Sequence, residues 1–110
     1  NNAQMLVDLL KVIFKATELR RFDHDNGTIV HIELKLDNII IMISNSTDNY
    51  PANTTMLHIY VSDVFITFNS AVDNGCKIIE QPINKQGDPD TRGAFMDFAG
   101  NYWAVSTQTN

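Results

Sequence analysis

Three histidines, one cysteine, and a few methionines and tyrosines at strand-like spacing are the side chains here with chemical potential. His58 stands out. In Met56-Leu57-His58-Ile59-Tyr60-Val61, a period of two puts Met56, His58 and Tyr60 on one strand face and the aliphatic residues on the other. A histidine so placed has two readings: a ring aimed into a cavity to bond a ligand or move a proton near neutral pH, or one satisfied inside the sheet. Tyr102, Ala104 and Ser106 alternate in the same way near the end of the chain, with Trp103 pointing opposite to pack as core under a helix.

The remaining candidates are weaker. Cys76 follows Gly75 at a strand start, and Lys77 points to the opposite face, so no base is at hand to make a nucleophilic thiolate. His31, Glu33 and Lys35 share a strand face that reads as solvated, with a cavity mouth as the alternative, and His24 precedes a turn. Asp97 and Asn101 bracket a turn whose backbone groups they should cap. There is no Gly-rich phosphate loop, Gly-x-Ser-x-Gly or paired-cysteine motif, so nucleotide, esterase and zinc-ribbon chemistry have no support.

The elements that must position these residues repeat. Residues 56–61 read as a strand, 62–74 as a helix, and 76–82, 93–98 and 102–107 as three strands. Residues 2–16 read as a helix and 18–24, 28–36 and 39–44 as three strands, the same order without its opening strand. The first helix carries Leu6, Leu9, Leu10, Ile13 and Phe14 as its apolar stripe, with Asn2 as N-cap. The second opens at Ser62-Asp63, carries Phe65, Phe68 and Val72, and closes at Asn74-Gly75. Asp25-Asn26-Gly27 is a hairpin turn. Val30, Ile32, Leu34 and Leu36 form a dry face, and residues 39–43, apolar on both faces, should lie centrally. Residues 44–55 and 86–92 read as loops. The expected fold is α+β: one domain over 1–110 made of two β-α-β-β-β modules, 1–49 and 56–110, helices outside an antiparallel sheet. The first strand of the first module is expected before Asn1.

Bulk properties narrow the partners. A chain of this length with 44% hydrophobic residues makes one ordinary core. Net charge -5 with eight scattered Lys and Arg excludes nucleic acid and anionic membrane, and no apolar run is long enough to span a bilayer. A single cysteine fits a reducing, cytoplasmic setting.

The residues 56–63 (MLHIYVSD), Asn74-Gly75 and 97–103 (DFAGNYW) make the whole chain resemble the vicinal oxygen chelate superfamily, the glyoxalase and bleomycin-resistance proteins. More narrowly it resembles the PhnB-like branch, which reads His-x-Tyr-Val-x-Asp and closes Asp-x-x-Gly-x-x-Trp. The resemblance implies paired modules, a homodimer and, in the enzymes, one divalent metal held by four His, Glu or Gln. At the three of those positions within this chain stand Met42, His58 and Ala104, and one histidine cannot hold a catalytic metal. By the same register His58, Met42, Met56, Tyr60, Tyr102, Ala104 and Ser106 line the concave site, a soft lining edged by hydroxyls. It suits a small, partly apolar molecule, with plain filling of the concavity as the alternative. The expectation is a metal-free binding protein, with no cofactor. The alternatives are a divalent-metal lyase, isomerase or dioxygenase with His58 as a ligand, and a dimer sequestering a cationic antibiotic, whose groove would want carboxylates that this lining lacks.

Overall fold

The computed structural model describes residues 3–108. They form α1 (Ala3–Phe14), β1 (Thr17–Asp23), β2 (Ile29–Leu36), β3 (Ile39–Ile43), β4 (Met56–Tyr60), α2 (Val64–Asp73), β5 (Lys77–Ile83), β6 (Asp90–Met96) and β7 (Tyr102–Gln108). The chain divides into two compact units between Asn53 and Thr54.

In the first unit, β1-β2-β3 is an antiparallel sheet with α1 packed on β2. The buried residues of α1 are Ala3, Val7, Leu10 and Ile13, so its apolar face is centred on Val7 and Leu10, and Leu6, Leu9 and Phe14 flank it. The helix stops at Phe14 because Lys15 takes a left-handed conformation (φ 54°), which breaks the ladder. The expected Asn2 cap lies outside the described residues. Gly27 (φ 87°) turns the β1–β2 hairpin, and Asn26 Oδ1 accepts from Thr28 N at 3.0 Å.

Two expectations about this sheet need correction. Ile29, Ile32, Leu34 and Leu36 are buried, but Val30 is 43% exposed. Asp23 pairs with Ile29 and Phe22 with His31, so Val30 is the extra residue of a bulge and leaves the dry face. Nor is β3 central. It pairs only with β2 among the described residues, and Ile39, Ile40 and Met42 are exposed. An all-apolar run reports burial on two faces only when strands flank it on both sides.

In the second unit the strand order is β4-β7-β6-β5. The meander β5-β6-β7 is antiparallel as expected, but β4 and β7 run parallel, so this sheet is mixed. The helix returns the chain before β5, and two reversals later β7 points the way β4 did. Asp63 caps α2, accepting from Phe65 N and Ile66 N at 3.0 and 3.3 Å, and Gly75 (φ 95°) closes it with Cys76 N donating to Ala71 O. The buried face of α2 is Val64, Thr67, Phe68 and Ala71, which leaves Phe65 exposed and Val72 at the margin.

The core of this unit lies between α2 and the sheet. Phe68 meets Phe95 edge-on at 6.4 Å, with Trp103 and Val105 buried alongside. A Cβ on Gly93 would stand 3.2 Å from Phe68 Cδ1 and 3.1 Å from Pro82 Cγ, so glycine sets how closely the helix side packs there. β6 starts three residues earlier than its sequence pattern suggests. β7 runs on to Gln108, and Asp90, Thr91 and Arg92 pair with Gln108, Thr107 and Ser106. The backbone polar groups of Asp90–Arg92, the end of the expected 86–92 loop, are thus drawn into the ladder, while residues 86–89 remain a turn. No helix among the described residues is long and apolar enough to cross a membrane.

Candidate functional site

The face of the second sheet turned away from α2 collects most of the expected site. β4 and β7 pair Met56 with Tyr102, His58 with Ala104 and Tyr60 with Ser106, so six of the seven residues form one two-column block. Met42 is in the first unit, across from Glu33 on β2 and 65% exposed.

Within the block, His58 Nε2 lies 2.7 Å from Ser106 Oγ. Ser106 is fully buried, whereas His58 is exposed, so the serine fixes the ring from below and leaves Nδ1 without a partner among the described residues. The serine hydroxyl both donates and accepts, so Nδ1 can present either a proton or a lone pair. The His58 and Tyr60 rings stack, centroids 5.1 Å apart and planes 23° from parallel. Together they make a stacked aromatic pair on this face.

Three residues that the sequence reading assigned to a loop join this face. Tyr60 Oη donates to Asp90 Oδ2 at 2.6 Å, and Asp90 is 5% exposed. That bond, with desolvation second, raises the Tyr60 phenol above its ordinary range. Arg92 Nη2 stands 3.4 Å from Asp88 Oδ2 and 3.9 Å from Asp90 Oδ2. Arg92 Nε is covered and has no partner among the described residues, a state that costs about 1–3 kcal/mol for a buried donor. The β6–β7 ladder, continued from Ala94–Ala104 to Arg92–Ser106 and Asp90–Gln108, puts Arg92 and Asp90 on this face, and Asp88 joins them through its ion pair with Arg92. The expectation that the lining lacks carboxylates is therefore corrected: Asp90 and Asp88 are on it.

The other expected roles sort by geometry. Asp97 accepts from Ala99 N, Asn101 N, Asn101 Nδ2 and Trp103 Nε1, the turn chemistry foreseen for it. Burial, with Asp97 as a lesser cause, pushes the Cys76 thiol up to about 11, and it is structural. In the first unit, Glu33 Oε2 is 2.7 Å from both Arg20 Nη2 and His31 Nε2, and these partners, Arg20 first, hold its carboxyl below the usual range. A separate open groove of about 500 Å³ is lined by His24, Asp25, Asn26, Thr28 and Thr47. It is a polar hollow between turns and lacks the apolar contacts that hold a small organic ligand. Among the described residues no three His, Cys, Asp or Glu come together as a metal set.

Solved structures share this fold. TioX from Micromonospora sp. ML1 superposes with a TM-score of 0.80 at 22% identity, over 96% of this chain and 89% of that one. A glyoxalase/bleomycin resistance protein from Streptomyces sp. CB03234 gives 0.72 at 13% identity, over 96% and 90%. The fold is that of the glyoxalase/bleomycin-resistance proteins. TnmS3, an antibiotic binding protein from the same Streptomyces, gives 0.68 at 14% identity, over 96% and 86%. No protein-family model and no curated protein matches the chain.

Proposed function

We propose that this glyoxalase-like protein binds a small, partly apolar molecule, without a metal, on the open face of its second sheet. The observation that carries this is the exposed, stacked pair His58–Tyr60, set on a row with Ser106 and flanked by Met56 and Tyr102. Flat aromatic and thioether surface with a few fixed polar groups is what orients such ligands. The antibiotic-binding fold neighbour TnmS3 supports the same class of ligand.

The fold family's divalent metal does not suit the donors present. With Nε2 bonded to Ser106, His58 offers a single nitrogen, Nδ1, Ala104 beside it offers no donor, and Met42 offers only a thioether. The reading extends to the PhnB-like branch, on His58-x-Tyr60-Val61-x-Asp63 and Asp97-x-x-Gly100-x-x-Trp103, and to a cytoplasmic homodimer.

Two measurements test it. Fluorene, a flat neutral hydrocarbon, added to ¹⁵N-labelled protein should shift amides of β4, β7 and β6; shifts confined to other elements would sink the reading. Calorimetric titration of chelator-treated protein with zinc, nickel and manganese should give no stoichiometric binding. A dissociation constant near micromolar, about -8 kcal/mol, lost on His58→Ala, would put the metal enzyme in its place.

A further inference from the structure

We infer that the Arg92 guanidinium recognises a neutral carbonyl oxygen on a flat ligand, an inference that rests on the small-molecule reading above. An arginine carries five N–H donors and no acceptor, and it is strongly held only when an oxygen lies about 2.7–2.9 Å away. Two other arginines of this chain meet that standard: Arg20 Nη2 is 2.7 Å from Glu33 and Arg21 Nε 2.8 Å from Asp23. Arg92 does not. Its two carboxylates stand at 3.4 and 3.9 Å, and its Nε has no acceptor among the described residues.

The place of this unfilled fork is specific. Arg92 pairs with Ser106, and Ser106 with Tyr60, so one row across three strands runs from the aromatic surface to the guanidinium. Tyr60 Oη and Arg92 Nη2 both approach Asp90 Oδ2, at 2.6 and 3.9 Å, so the phenol end of the aromatic surface adjoins the guanidinium. The Arg92 side chain is 42% exposed although Nε itself is covered, so a ligand can reach the side chain beside Nε.

The local charge decides the kind of oxygen. One guanidinium facing Asp88 and Asp90 leaves a net -1 (one positive, two negative). A ligand carboxylate or phosphate would add a third anion, whereas a carbonyl accepts the N–H bond and adds no charge. Asp90 is tied to Tyr60 as well, so the carboxylates hold the fork in place rather than saturate it.

The test compares 9-fluorenone with fluorene, which differ only by the carbonyl, followed by ¹H–¹⁵N spectra that include the Arg92 Nε–H signal. Fluorenone should bind about tenfold tighter, the worth of one good hydrogen bond, and should move the Nε–H signal while fluorene leaves it in place. Arg92→Lys, which keeps the charge but loses the fork, should erase the fluorenone advantage and bring the two neutral compounds to equal affinity. Fluorene-9-carboxylate should bind more weakly than fluorene. Equal binding of the two neutral compounds, or a fluorenone preference intact in Arg92→Lys, overturns the inference and leaves the small-molecule reading standing. Tighter binding of the carboxylate overturns the neutral-carbonyl assignment. Failure of both neutral compounds to perturb β4, β6 and β7 overturns both readings. Should Arg92→Lys not fold, the wild-type comparison and the Nε–H signal decide alone.

Discussion

Tyr60 on β4 reaches over β7 to donate its hydroxyl proton to Asp90 on β6, 2.6 Å away, so one side chain links three strands of the open face. The bond stabilises the neutral phenol, and its folded pKa is raised above the ordinary 10.0. A raised pKa contributes stability that is full below the unfolded value and lost as pH rises through the folded value. Ultraviolet titration near 295 nm should therefore show one late-ionising tyrosine, and Asp90→Asn should bring it back toward the ordinary range. A late tyrosine that persists in Asp90→Asn would assign the shift to another cause.

Glu33 gives the opposite pH dependence in the first unit. Arg20, then His31, lowers its carboxyl pKa, so the stability it supplies is present above the unfolded value and lost as pH falls through the folded one. Carbon-13 titration of the side-chain carboxyls should find Glu33 ionising below the ordinary 4.5, and Arg20→Ala should raise it. An unchanged Glu33 titration in that variant would refute the pairing.

Asp97 anchors the β6–β7 turn to the core through Trp103. Asp97→Ala removes a buried carboxylate that accepts from two backbone amides, Asn101 and the indole, and charged hydrogen bonds contribute about 1.5–3 kcal/mol each. Denaturant unfolding should show a loss of about 3 kcal/mol or more, with Asp97→Asn milder because it keeps one acceptor. A loss under about 1 kcal/mol would mean that water replaces the network.

Gly93→Ala should destabilise by overpacking. The new methyl would meet Pro82 Cγ at 3.1 Å, and Phe68 Cδ1 and the Pro82 backbone nitrogen at 3.2 Å, contacts that force a shift. Such insertions cost about 1–3 kcal/mol. Because Gly93 lies on the helix side, fluorene binding per folded molecule should be unchanged; a matching loss of binding would tie the two faces together.

Cys76 should be inert in the folded protein. With its thiol pushed up to about 11 and buried, it carries almost no thiolate at pH 8. Ellman's reagent should react only as the protein unfolds in denaturant. Prompt reaction in native buffer would contradict the burial.

By itself the sequence determined the order of elements, because helix and strand periods, the Asp63 cap, the Asn26-Gly27 turn and the Gly75 stop are local signals. Alternation also put Met56, His58 and Tyr60 on one face of β4 and Tyr102, Ala104 and Ser106 on one face of β7, while the β4–β7 register makes the two faces coincide. Local signals do not carry pairing. That β3 is an edge among the described residues, that β4 runs parallel to β7, and that Val30 bulges out are long-range hydrogen-bonding outcomes with no local signature. The same holds for Asp88, Asp90 and Arg92. Their composition, Gln-Gly-Asp-Pro-Asp-Thr-Arg, reads as loop, and only the ladder to β7 draws Asp90–Arg92 into a strand and aims Arg92 and Asp90 at the row of Tyr60 and Ser106. A polar stretch becomes a strand when a neighbour satisfies its backbone, and that neighbour is set by the tertiary structure.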